Sequence, residues 1–198
     1  MDFKALVIIM MGSALVNNYV LRKFLAVCPF LGVSKELKSS FGMGCAVIFV
    51  MVMCAAATWP IHYFILEPHG LGFMQTIVFI IIIATLVQLV EIVLKRHIPA
   101  LFKSLGVYLP LMTTNCSVLA VAITNINSEY TYIEAVVNAA GAGIGFMLAI
   151  VLFTKVREKI EDADPPESFK GVPLMLISAA ILSIAFFAFE GVIENLFG

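Results

Sequence analysis

Two stretches hold the residue types with the most chemistry in them. Lys23-Phe24-Leu25-Ala26-Val27-Cys28-Pro29-Phe30 and Leu109-Pro110-Leu111-Met112-Thr113-Thr114-Asn115-Cys116 each set one cysteine deep in an apolar segment, beside a proline or small polar residues that interrupt helical packing. A thiolate is a soft ligand suited to zinc or an iron–sulfur cluster, and such sites usually need four ligands. Two cysteines supply half of that, so the rest would come from a second copy or a related polypeptide. The plainer alternative, that each is a small apolar packing residue, is the one spacing alone favours. Cys45 and Cys54 have no partner at the corresponding points of the other half and read as core residues. No CxxC spacing links any of the four, and a large apolar chain has no need of a disulfide framework.

The elements that position these residues follow from composition. Of 198 residues, 62% are hydrophobic, and the mean hydropathy is +1.05, far above a soluble domain. The class is therefore an all-α integral membrane protein, forming a single membrane domain over residues 1–198. Six apolar spans are predicted at 5–33, 42–65, 72–94, 104–124, 132–154 and 172–194, each long enough for the roughly 20 residues that cross a 30 Å hydrocarbon core. Span one is too long for a straight crossing. It is expected to tilt or break, most plausibly around Cys28-Pro29, because proline removes a helical hydrogen bond. Span four, with Pro110, is expected to be interrupted in the same way.

Basic residues set the orientation. The connections after spans one, three and five carry Lys35 and Lys38, then Lys95, Arg96 and Lys103, then Lys155, Arg157, Lys159 and Lys170, whereas the connections near 67–70 and 125–131 carry none. By the positive-inside rule the basic connections are cytoplasmic and both termini face outward. No cleavable signal peptide is expected, since the first apolar segment contains Asn17, Asn18, Arg22 and Lys23.

Three spans per half make any internal repeat an inverted one, with repeat 1 over about 1–98 and repeat 2 over about 99–198. Cys28 and Cys116 then fall at mirrored depths. Gly42-Met43-Gly44 and Gly141-Ala142-Gly143-Ile144-Gly145 open spans two and five at corresponding points, where glycine lets membrane helices approach closely. A backbone approach to a cofactor is the sharper alternative there.

Polar groups inside span one are expensive and face a bundle interior or a water-filled path. Asn17, Asn18, Arg22 and Lys23 either line an ion route or reach an anionic cofactor, or they satisfy freed backbone groups and snorkel. Thr113, Thr114 and Asn115 are placed to hydrogen-bond sulfur or backbone. Glu91 precedes Lys95 by one helical turn and suits an ion pair; Glu134 and Glu190 lie near outer span ends, with cation coordination the less favoured use. The run from Arg157 to Pro166 reads as a solvated, mixed-charge connector. No catalytic triad, phosphate-cradling loop, dinucleotide fingerprint or nucleic-acid motif is present, so no complete active site and no catalytic residue is expected on this chain alone. A secondary transporter, in which inverted repeats and broken helices are common, is the alternative from another class.

The segments Val16-Asn17-Asn18-Tyr19-Val20-Leu21, Lys23-Phe24-Leu25, Cys28-Pro29-Phe30-Leu31-Gly32-Val33-Ser34-Lys35, Leu109-Pro110-Leu111 and Thr113-Thr114-Asn115-Cys116 resemble the small membrane subunits shared by Rnf complexes and Na+-translocating NADH:quinone reductases. The likeness extends through Arg157-Glu158-Lys159 and Asp164-Pro165-Pro166, and the first and third segments look more like the Rnf branch than like its quinone-reductase counterpart. The resemblance implies a membrane component of a ferredoxin:NAD+ oxidoreductase in a bacterial or archaeal cytoplasmic (inner) membrane, with electron transport coupled to Na+ or H+ transport. It also implies six helices in an inverted repeat and pairing with a homologous six-helix protein of opposite topology, RnfE. The pair would share an intramembrane [2Fe-2S] cluster whose ligands carry over onto Cys28 and Cys116, placed between the iron–sulfur and flavin-bearing subunits of the complex.

Overall fold

The computed structural model describes residues 3–34, 37–70, 72–97, 115–161, 166, 169 and 171–197. Helix α1 (Phe3–Met11) runs into one π turn, Gly12–Val16. The chain then leaves helical geometry until α2 (Val27–Val33). Helix α3 (Leu37–Ile61) ends in a second π turn, His62–Leu66, just after Pro60, whose missing N–H cannot continue the α pattern. A short 3-10 turn, Gly72–Met74, opens α4 (Gln75–His97). Then follow α5 (Cys116–Asn127), α6 (Tyr132–Glu161) and α7 (Val172–Phe197). The described residues contain no strand. This suits a chain in lipid, where each backbone polar group must be paired within its own segment.

Among the described residues, three helices are long and apolar enough to cross a membrane: Leu37–Leu66, Gly72–Val93 and Tyr132–Ile160. They match spans two, three and five, and α7 covers span six. Span one is not a single helix. Its break lies over residues 17–26 and not at Cys28-Pro29 as the proline suggested. Pro29 instead sits in the first turn of α2, where a helix has no use for an N–H and the fixed φ of proline is already helical. The first part of span four, including the stretch Leu109–Thr114, lies outside the described residues.

The core is built on α3 against α6. Ser40 Oγ and Thr154 Oγ1 share a hydrogen bond of 2.8 Å, a Cβ on Gly44 would meet Met147, one on Gly143 would meet Ile48, and Trp59 meets Tyr132 edge-on at 5.5 Å between ring centroids. As α3 is followed forward, α6 is followed backward, so the two helices run antiparallel. The glycine contacts are also reciprocal. The interval from Gly44 to Gly143 equals that from Ile48 to Met147, so each helix presents its glycine to the same point of the other. Between them lie Met43, Val47, Met51, Phe146, Ile150 and Phe153, all at most 1% exposed. Helix α1 and its π turn cross the same α6: a Cβ on Gly141 would lie 2.7 Å from Met10 O, and one on Gly145 2.6 Å from Ala14 O. Glycine is required at both points because backbone fills the space a side chain would need.

Rotation around α3 explains the two cysteines that belong to the scaffold. Cys54 is 1% exposed and part of the core, as expected. Cys45 is exposed, a correction to its reading as a core residue. It follows Gly44, and one residue turns a helix by about 100°, which swings its side chain off the face that meets α6.

One end of this α3–α6 pair is aromatic and the other basic. Trp59 stacks obliquely on Tyr63 with centroids 4.4 Å apart, and its Nε1 donates to Tyr130 O at 2.8 Å. Thr131 and Glu134 form the side-chain brace of a capping box: Thr131 N and Oγ1 both donate to Glu134 Oε2, at 3.0 and 2.7 Å. That gives Glu134 a role at a helix start. The side chain of Glu190 lies outside the described residues. At the opposite end, Arg157, Glu158 and Lys159 continue α6 and do not form a loop. Arg157 is 8% exposed, a second correction to the reading of that run as a solvated connector.

Candidate functional site

The site is organised by the break in span one. Leaving a helix within an apolar bundle strands N–H and C=O groups that water cannot reach, and each must find a partner. Asn18, 2% exposed, makes four such pairings. Its Nδ2 donates to Gly145 O at 2.8 Å and Ala14 O at 3.4 Å, while its Oδ1 accepts from Val20 N at 3.0 Å and Leu21 N at 3.4 Å. Leu21 O is taken by the hydroxyl of Ser183 on α7, and Leu25 N turns back to Tyr19 O at 3.0 Å. Asn18 thus fastens the break to the glycine face of α6. Of the two uses open to it from sequence, it takes the backbone-satisfying one.

The neighbouring polar residues are less enclosed. Arg22 Nη1 donates to Asn17 Oδ1 at 2.8 Å, and its guanidinium lies 5.8 Å from the centre of the Phe187 ring. Lys23 Nζ sits 4.8 Å from the centre of the Tyr19 ring. Aromatic faces accept these cations where water is scarce.

The break ends in two left-handed residues, Phe24 at φ 51° and Ala26 at φ 61°. Neither is glycine, and each costs on the order of 1–2 kcal/mol. What the strain achieves is visible at Ala26, the residue before α2, whose N–H points at the sulfur of Cys116, 3.3 Å away. Cys28 follows two residues later as the second residue of α2. The fold therefore brings Cys116 to the short stretch that carries Cys28, across an interval of most of a repeat. Both thiols are exposed at the surface of the chain, and neither is a core packer.

Cys116 is the first residue of α5. Asn115 caps that helix: its Oδ1 accepts from Ser117 N at 3.0 Å and Ser117 Oγ at 2.7 Å. Its Nδ2 is left buried without a hydrogen-bond partner.

The cysteine half-helix α2 is held from its far end. Phe30 stacks on Phe153 of α6, with centroids 4.3 Å apart and planes 28° from parallel. Arg157 Nη1 donates to Leu31 O at 3.1 Å and Ser34 Oγ at 3.2 Å. A cation at the last carbonyls of a helix complements its dipole. Sequence reasoning missed Arg157 because its partners lie far back in the chain, and a basic residue near a charged loop gives no local sign of burial.

As a metal centre, the arrangement is incomplete by design of its parts. Among the described residues no three His, Cys, Asp or Glu side chains group together. Two soft, surface-exposed thiols with a backbone donor on one of them are the kind of donor set that would fit half of a four-thiolate cluster.

Comparison with known proteins agrees on the family. Residues 6–193 match the family model of the Rnf-Nqr membrane proteins. The chain is 52% identical over 186 residues to the A component of the Na(+)-translocating ferredoxin:NAD(+) oxidoreductase complex of Acetobacterium woodii, covering 94% of this chain and 97% of that one. It is 47% identical over 192 residues to the A component of the ion-translocating oxidoreductase complex of Syntrophotalea carbinolica, covering 97% and 100%. With the A component of the same-named complex in Vibrio vulnificus it shares 43% identity over 188 residues, covering 95% and 98%. The matched range, residues 6–193, takes in nearly all of the chain, and the chain belongs to the Rnf-Nqr family of membrane proteins.

Proposed function

We propose that this chain is the RnfA component of an ion-translocating ferredoxin:NAD+ oxidoreductase, and that Cys28 and Cys116 are its half of a [2Fe-2S] site completed by two cysteines of the homologous RnfE. The observation that carries the reading is the Ala26 N–H on Cys116 Sγ, which holds the second cysteine against the stretch bearing the first while both thiols stay exposed. When bound, such a cluster supplies one-electron transfer partway across the membrane, between iron–sulfur and flavin-bearing subunits on its two sides. The chain's own part is positional. Asn18 fixes the break, Arg157 and Phe153 fix α2, and Asn115 fixes the start of α5, while both thiols stay exposed.

The inverted repeat belongs to the same reading. Its support is the antiparallel, reciprocal packing of α3 on α6 and the start of a helix at each cysteine. The orientation with both termini outside is supported by the aromatic end at Trp59, Tyr63 and Tyr132, typical of a membrane interface, lying opposite the basic end at Lys155 and Lys159. The ion moved is Na+ or H+.

Cys28→Ala or Cys116→Ala, each in the purified assembled complex, is expected to abolish the intramembrane [2Fe-2S] signal in electron paramagnetic resonance and to stop ferredoxin-to-NAD+ electron flow. Cys45→Ala and Cys54→Ala are expected to keep both. A Cys28 or Cys116 variant that retains signal and turnover refutes the assignment.

A further inference from the structure

We infer that the backbone N–H of Ala26 raises the reduction potential of the cluster, through its hydrogen bond to Cys116 Sγ. This rests on the cluster reading above and adds a positioning residue to it. A neutral thiol is a weak acceptor, so a backbone donor given to one is poorly satisfied. A metal-bound thiolate carries the negative charge that makes the same N–H well paired. The donor is moreover not there by default. Ala26 is 1% exposed, and its N–H reaches sulfur at 3.3 Å because Phe24 and Ala26 are held left-handed at φ 51° and 61°.

That geometry is maintained from outside the kink. Leu25 N is tied to Tyr19 O, Leu21 O to Ser183, and Val20 and Leu21 N to Asn18. Strained backbone persists only where its surroundings over-determine it, and here four ties do so immediately before the donor. Hydrogen bonds to the sulfurs are among the factors that set cluster potentials. A donor stabilises the more negative, reduced state, so its loss moves the potential to more negative values.

The test replaces the Ala26 amide by an ester, through suppressor-mediated incorporation of lactic acid at position 26 in the whole complex. This removes the N–H and leaves the side chain unchanged. Redox titration followed by electron paramagnetic resonance is expected to show the cluster retained with its midpoint shifted negative. Ala26→Gly, which keeps the N–H and adopts a positive φ without strain, is expected to titrate as the wild type. Independently of whether the ester assembles, the wild-type complex labelled with 15N-alanine is expected to show a 15N hyperfine coupling to the reduced cluster. That coupling is expected to vanish in labelled Ala26→Gly. An ester that titrates at the wild-type potential, or a 15N coupling that is absent from the wild type or persists in Ala26→Gly, overturns the inference while the cluster reading stands. A wild-type complex with no intramembrane cluster overturns both.

Discussion

Asn18→Leu removes the polar groups that carry the break in span one while keeping the number and branching of side-chain heavy atoms. Two of the four hydrogen bonds are short, at 2.8 Å to Gly145 O and 3.0 Å from Val20 N; the other two, at 3.4 Å each, are weak. Leaving a buried backbone group unpaired costs about 1–3 kcal/mol. Hydrogen bonds between membrane helices measure nearer 0.6 kcal/mol on average, reaching about 1.7. Taking the two short bonds alone between those limits gives about 2–4 kcal/mol, or on the order of 100-fold in the unfolding equilibrium. Asn17→Leu is the control. Its Oδ1 takes one exposed hydrogen bond from Arg22, worth at most about 1 kcal/mol. The assay is unfolding of the purified complex in mixed micelles with increasing denaturing detergent, read by near-ultraviolet circular dichroism and by loss of the cluster signal. Equal midpoints for Asn17→Leu and Asn18→Leu would refute the claim that Asn18 holds the break together.

Two further outcomes follow from the packing. Gly143→Ala places a Cβ 2.8 Å from Ile48 Cα and is expected to destabilise the assembled complex by about 1–3 kcal/mol, whereas Gly42→Ala, with nothing within 4 Å, is expected to be neutral; detergent denaturation midpoints of both variants check this. Arg157→Lys keeps the charge but loses the rigid, planar guanidinium whose Nη1 reaches both Leu31 O and Ser34 Oγ. It is expected to cost about 1–2 kcal/mol and to broaden the cluster's resonance lines by loosening α2, which the same spectra report.

The membrane class and the places of spans two, three and five were legible from apolar run length, since nothing soluble is that apolar. The weakness of a long first span was legible as well, yet its position was not. Proline near Cys28 looked like the breaker, while the break was set by Asn18 pairing with Gly145, a contact no local window contains. Glycines marked the α3–α6 seam because close helix approach leaves few other choices. Cys45 was misjudged for the opposite reason: cysteine suits both a core and a lipid-facing surface, so its type says little and its rotation on the helix decides. At the candidate site the two cysteines stood out only with the family pattern beside them. The donor at Ala26 was invisible, since a backbone N–H has no letter in the sequence.

Under the shared-cluster proposal, the exposure of both thiols at the surface of the chain bears on how such a complex is made. A half-site cannot be loaded and proof-read on a lone polypeptide in the way a closed four-cysteine pocket can. Delivery of iron and sulfide would then be an event of pairing. The number of clusters in a membrane would count completed pairs, and a chain made in excess would contribute two idle thiols and no redox centre.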